Sequence, residues 1–209
     1  MSRCLANDTR VKSPDRRKQV IDAAAKCFRK EGIHGCSIAK ISKASGMSPG
    51  HIYYHFANKE AIVEALVKQQ ENSLLAMIND IKTSPMEDKL VDILIRHTAE
   101  NVERHTSHEF IGLWLEIAAE SARNPSVAEL LKQSRASIVK QFNEQLILRH
   151  KIEDEKEILR LRAGMEIMSA IFVGLSVNTP QQNGENKINN ALLTEVINDI
   201  AKHLFSHKC

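Results

Sequence analysis

Apolar residues recur every three to four positions along almost the whole chain, and no stretch keeps the alternation of a half-buried strand. The pattern predicts an all-α protein. A first helix starts after the capping candidate Ser13, with Pro14 and Asp15 in its first turn, and carries Val20, Ile21, Ala24, Ala25 and Phe28 inward up to Gly32. Two short helices follow. Ser37 caps one bearing Ile38 and Ile41; Gly46 suits the left-handed backbone of a tight turn; Ser48 and Pro49 then start the other. On that last helix only Ile52 and Phe56, four apart, form an apolar stripe. Gly50, His51, Tyr53, Tyr54 and His55 leave the opposite face polar. Three helices make a minimal core, in which Phe28, Ile38, Ile41, Met47, Ile52 and Phe56 should meet.

Asn58 caps a long helix through Ile81 that ends before Pro85. Beyond it the spacing predicts helices over 86–104, 107–122, 125–150, 153–177 and 187–207, with a loop over 178–186. The run from Phe110 to Ala119 is apolar nearly all round and belongs in the centre. Small residues at Ala163, Gly164, Ala170 and Gly174 allow close helix approach. The last helix carries a stripe of Ile188, Ala191, Leu192, Val196, Ile200 and Leu204. A stripe without an internal partner points to self-association.

This order divides the chain into a basic arm over 1–12, a head over 13–57 and a helical body over 58–209. At 209 residues such a two-part protein is well within reach. Charge sharpens the division. Residues 1–68 hold 13 Lys and Arg against 6 Asp and Glu, whereas the chain as a whole is only +3. A basic head on an acidic body suits an anionic polymer held at one end. The arm, with Arg3, Arg10 and Lys12, is expected to lack structure, and Arg16, Arg17 and Lys18 are further phosphate candidates.

Two short helices around a glycine turn, the second with a polar outer face, make a helix-turn-helix suited to a DNA groove. Gly50 is the oddity, because glycine inside a helix costs about 1 kcal/mol against alanine. Close approach to a phosphate would repay it; relief of crowding against the first helix is the plainer alternative. The segment from Pro14 to Gln70 resembles the DNA-binding domain of the TetR family of bacterial transcriptional regulators. The likeness rests on Gly32, Cys36-Ser37, Ile41, Gly46-Met47-Ser48, Gly50, Ile52-Tyr53-Tyr54-His55-Phe56 and Asn58-Lys59-Glu60. Position 36 departs from it, since the family usually has Thr or Ser there; Ser37 is left to supply a hydroxyl. Residues 105–150 loosely resemble the body of TetR-type regulators related to the choline-responsive repressor BetI.

The resemblance implies a homodimeric DNA-binding regulator, most simply a repressor, released from a palindromic operator by a small molecule. Ser37, Tyr54 and Lys59, with backbone amides at helix starts such as that of Ser48, are expected on phosphates. Pro49, Gly50, His51 and Tyr53 are expected at base edges or thymine methyls, with His55 ambiguous. Phe110, Trp114, Phe142, Met165, Met168 and Phe172 are candidate effector contacts. No buried charge stands out as an anchor, which favours an apolar or neutral ligand.

Other chemistry finds little footing. There is no GxSxG, Walker loop, HExxH, or GxGxxG after a strand, so no enzyme is expected. The acids Glu153-Asp154-Glu155 suit a solvated helix start. His51 and His55 lack a third metal ligand, and His203, His207 and Cys209 lie at the chain end, so no metal or cofactor is expected. Cys4, Cys27, Cys36 and Cys209 form no CxxC pair and are expected to be thiols, with Cys27 as buried filler. No run of about 18 apolar residues suggests a membrane span, and the N-terminus lacks a signal-peptide core, so a cytoplasmic site is expected. Two alternatives remain open: a helical small-molecule-binding protein or enzyme with a vestigial DNA-binding head, and a thiol-based redox regulator on the same fold.

Overall fold

The computed structural model describes residues 13–179 and 188–205, without the side chains of 13–15 and 149–150. The expected arm over 1–12, the capping side chain of Ser13, most of the 178–186 loop, His207 and Cys209 lie outside the described residues. Every regular element among those described is a helix. In order they are α1 (Ser13–Gly35), α2 (Ile38–Ser45), α3 (Pro49–His55), α4 (Lys59–Thr83), α5 (Leu90–Arg96), α6 (Thr98–Thr106), α7 (His108–Ser121), α8 (Pro125–His150), α9 (Glu155–Asn178) and α10 (Asn190–Phe205). The chain forms two compact units, which part between Leu66 and Val67.

The head unit is built by local rules. Ser37 Oγ accepts from the Lys40 amide to cap α2, and Ser48 Oγ accepts from the His51 amide to cap α3, with Pro49 in the first turn. Gly46, at φ 67°, closes α2 in the left-handed region, where a side chain is strained. The turn is tied back to α1 by Gln19, whose Nε2 donates to the Ser45 carbonyl at 2.6 Å. Phe28, Ile41, Met47, Ile52 and Phe56 are all buried as expected; Ile38 is only half-buried.

α1 does not simply stop at Gly32. At φ 75°, ψ 159° that glycine breaks the helix, and one more turn follows to Gly35. The reversal brings Cys36 back against α1, and Cys27 and Cys36 form a disulfide with Cα atoms 6.0 Å apart. Both were expected to be thiols. The nine-residue separation is no motif; the glycine kink makes the pair.

In the body the expected helix over 86–104 is two. His97 joins α5 to α6, and residues 86–89 form a turn instead. Side chains organise this corner: His97 Nε2 lies 3.2 Å from Asp80 Oδ2, and Arg96 pairs with Asp80 and Asp88. A core of Ile81, Ile93, Val102, Leu146, Leu161, Ile197 and neighbours draws α4, α5, α6, α8, α9 and α10 together.

α10 differs from its expected single stripe. It packs on α5, α6 and α9 through Ile197, Ala201 and Phe205, while Ile188, Leu192 and Val196 point out about half exposed. Gly164 on α9 permits that packing. A Cβ built there would lie 2.8 Å from the Phe205 ring, and that ring is itself buried. Replacing Gly164 with alanine is expected to destabilise the protein by about 1–3 kcal/mol through overpacking. Gly174 on the same helix has open space at its Cβ position, so G174A should not lower stability. Urea unfolding of the two variants checks the contrast.

Candidate nucleic-acid interface and body cavity

α3 has seven residues and only one fully buried side chain, Ile52, with Phe56 buried at its C-cap. Arg17 of α1 lies over the Phe56 ring, its guanidinium carbon 4.9 Å from the centroid. These contacts orient the helix. Ser48, Pro49, Gly50, His51, Tyr53 and Tyr54 are consequently all exposed, Tyr54 at 82%, and His55 is half-buried. A large aromatic held that far into solvent gains little from its own chain. Among the described residues, and apart from its own helix backbone, nothing lies within 4 Å of a Cβ at Gly50, so its lack of a side chain relieves no crowding among them.

Two expected phosphate contacts have different settings. Ser37 is exposed at the start of α2. Lys59 is half-buried, and its Nζ donates to the Ile33 carbonyl at 2.8 Å, so it also ties α4 to the reversed segment after α1. Lys40, not singled out beforehand, does similar work nearby. Its Nζ donates to the Gly35 carbonyl at 2.9 Å and pairs with Glu31.

The body encloses a cavity of about 410 Å³. Of the candidate effector contacts, Phe110, Trp114, Met165, Met168 and Phe172 line it. Phe142 does not: it is 5% exposed and packs in the core with Leu146 and Leu161. The apolar picture also needs correction, because Gln70, Glu71, Asn101, Arg104 and His105 share the wall. Thr98, Asn101 and His105 fall at i, i+3 and i+7 on α6, a polar stripe on an inward face that helical spacing alone would have exposed.

Arg104 is fixed on three sides. It donates to the Gln70 carbonyl of α4 at 3.3 Å and to Glu100 at 3.0 Å, and sits 5.8 Å from the Phe110 centroid. His105 Nδ1 lies 2.8 Å from the hydroxyl of fully buried Ser176. Its ring meets Phe110 edge-on at 4.6 Å and Phe172 at 5.4 Å. Burial, helped by the charge of Arg104, pushes the His105 pKa down to about 4. The cavity thus presents a neutral imidazole at pH 7. Glu71 is pushed the other way: burial raises its pKa. Among the described residues no three potential metal ligands converge, and no helix is long and apolar enough to cross a membrane.

Comparison with known proteins decides the lineage. The family description "Bacterial regulatory proteins, tetR family" matches residues 20–66, within the three-helix head and the start of α4. The regulator UidR of Escherichia coli K12 is 30% identical over 138 residues, 64% of this chain and 66% of UidR. The chain belongs to the TetR family. The relatives it matches are named as helix-turn-helix transcriptional regulators. The alignment spans just under two thirds of UidR, so effector and operator do not transfer with it. The repressor AcnR of Corynebacterium efficiens is 26% identical over 109 residues, 52% of each chain. Among solved structures, Salmonella enterica GusR superposes with a TM-score of 0.70, covering 96% of this chain and 100% of its own, at 24% identity, which speaks for the fold. The family match ends at residue 66 and lends no support to the likeness of 105–150 to the choline-responsive repressor.

His105 makes the cavity wall sensitive to acid. The unfolded chain takes up this proton near pH 6.5, the folded chain only near 4. Between those values acid favours the unfolded state, so stability is full at neutral pH and falls as pH drops through 6.5 toward 4. At pH 5 the loss is about 2 kcal/mol. Melting wild type and H105Q at pH 7 and pH 5 should show a larger drop for wild type.

Proposed function

We propose that this protein is a ligand-responsive repressor that binds a palindromic operator as a homodimer. The observation that carries the reading is the exposed face of α3. Its apolar residues are all turned inward, and Gly50, His51, Tyr53 and Tyr54 are left to something outside the chain. In this reading α3 enters the major groove; Pro49, Gly50, His51 and Tyr53 meet base edges, with His55 at the margin, and Ser37, Ser48, Tyr54 and Lys59 hold phosphates. The open Cβ position of Gly50 leaves room for close backbone approach.

A second copy supplies the second half-site, about 34–36 Å away along the duplex. The half-exposed residues Leu159 and Ile167 on α9, Leu192 and Val196 on α10 and Ile188 just before it support that pairing. The effector takes the cavity. Its wall mixes aromatic surface with a fixed arginine and a neutral histidine, which fits a compound with both an apolar and a polar part. α4 lines the cavity with Gln70, Glu71 and Met77 and is the same helix that begins in the head at Lys59. A ligand that prefers another placement of α4 would weaken DNA binding, with a typical coupling of 5- to 150-fold.

Two measurements test this reading. Duplexes retained from a random pool should share an inverted repeat, and their affinity should fall about a thousandfold or more between about 50 and 200 mM salt. Y53A should bind those duplexes at least about tenfold more weakly, and loss of affinity independent of salt would sink the phosphate-contact geometry. Sedimentation addresses the pairing: wild type should run as a dimer and L192E/V196E as a folded monomer.

A further inference from the structure

The disulfide of the head has no part in the reading face or the cavity. Cys27 lies on α1 and Cys36 just ahead of Ser37, the cap of α2. The bond closes over the segment that Gly32 reverses. The same segment offers the Ile33 carbonyl to Lys59 and the Gly35 carbonyl to Lys40. A covalent tether, a helix cap and two lysine contacts thus converge on six consecutive residues, Gly32 to Ser37. These set where α2 starts, and α2 supports α3.

We propose that Cys27 and Cys36 are a reversible thiol–disulfide site whose oxidised form gives the head its full affinity for DNA. The inference rests on the reading of the head as a DNA-binding unit. Its co-reactant is a low-molecular-weight thiol of the glutathione class. The thiolate attacks the sulfur of Cys27, the less buried residue of the pair, at 8% exposure against none for Cys36. An S–S bond forms to the small thiol while the Cys27–Cys36 bond breaks, and Cys36 leaves as thiolate and takes a proton. A second small thiolate attacks the small-molecule sulfur of the mixed disulfide. Cys27 leaves as thiolate and is protonated, and the small disulfide departs. The protein gains two electrons and two protons; two small thiols are oxidised to one disulfide. The small disulfide drives the reverse reaction.

Reduction leaves two buried thiols, which pack as small apolar groups, so the head stays folded. What it loses is the tether that fixes Ser37 and the start of α2 against α1. An effector in the body cavity and the thiol balance around the head would then act on DNA binding through separate elements.

The test equilibrates the full-length protein in glutathione mixtures from fully reduced to fully oxidised. Alkylation and mass spectrometry count the free thiols. Anisotropy measures affinity for a duplex selected by the oxidised protein, at constant salt. Affinity is expected to fall about tenfold in step with the fraction reduced, with helical circular dichroism unchanged. C27S/C36S should hold the weaker affinity in every mixture. Affinity constant within about twofold across a measured change of thiol state overturns the proposal. So does a pair that stays dithiol in the oxidised mixture. Failure of the oxidised protein to select any duplex overturns the DNA-binding reading itself, and this inference with it.

Discussion

A seven-residue helix cannot hold itself together in water, and the whole head answers that constraint. α3 is stable only while Ile52 and Phe56 are buried, and those two side chains leave no choice about which face looks outward. The caps at Ser37 and Ser48 satisfy amides that such short helices would otherwise leave open. Gly46 turns the chain sharply enough that α2 and α3 share one small core. In the proposed reading, function and stability use opposite sides of the same helix. The buried side is filled by the chain itself, and the exposed side holds Tyr53 and Tyr54 out in solvent.

This explains why the head is so legible in the sequence. Its signals are local: a serine three residues from the amide it caps, a glycine at the turn, two apolar residues four apart. Each depends on neighbours in the chain, and each is found in place. The body was legible only in outline. Helix boundaries over 107–178 emerged close to their expected places, yet the break at His97 did not, because no glycine or proline marks it. There the chain turns around a polar cluster in which Arg96 pairs with Asp80 and Asp88 and His97 reaches Asp80, members that come from separate elements.

The candidate sites show the same limit. Aromatic and methionine positions on α7 and α9 were enough to find five lining residues of the cavity, but Phe142 obeyed the same spacing and went to the core. The polar wall was missed because apolar periodicity is a rule about what is buried, and it says nothing of polar groups that become buried together. Arg104 and His105 have their partners on α4 and α9, at separations of 34 and 71 residues. The disulfide escaped for a related reason. A spacing of nine residues carries no signal until the backbone of Gly32 turns left-handed and folds Cys36 back.

α10 shows how one helix can serve two surfaces. Its inner face, Ile197, Ala201 and Phe205, is consumed within the chain, and Phe205 approaches α9 so closely that position 164 tolerates only glycine without adjustment. Its outer residues Leu192 and Val196, four apart, lie on the helix but off the core, and Ile188 just before it is exposed alike. A helix needs only one such face to be held in a monomer. The second raises the exposed apolar area for no gain within the chain, and solvent exposure of that area is unfavourable at about 25 cal/mol per Å². Burial against a second copy removes the cost. The same copy would also double the number of phosphates engaged, because each additional head adds its own contacts to the salt-dependent part of the affinity. In the proposed dimer the apolar residues of α10 and the exposed tyrosines of α3 would answer one requirement: a DNA-reading surface this small would have to be used twice.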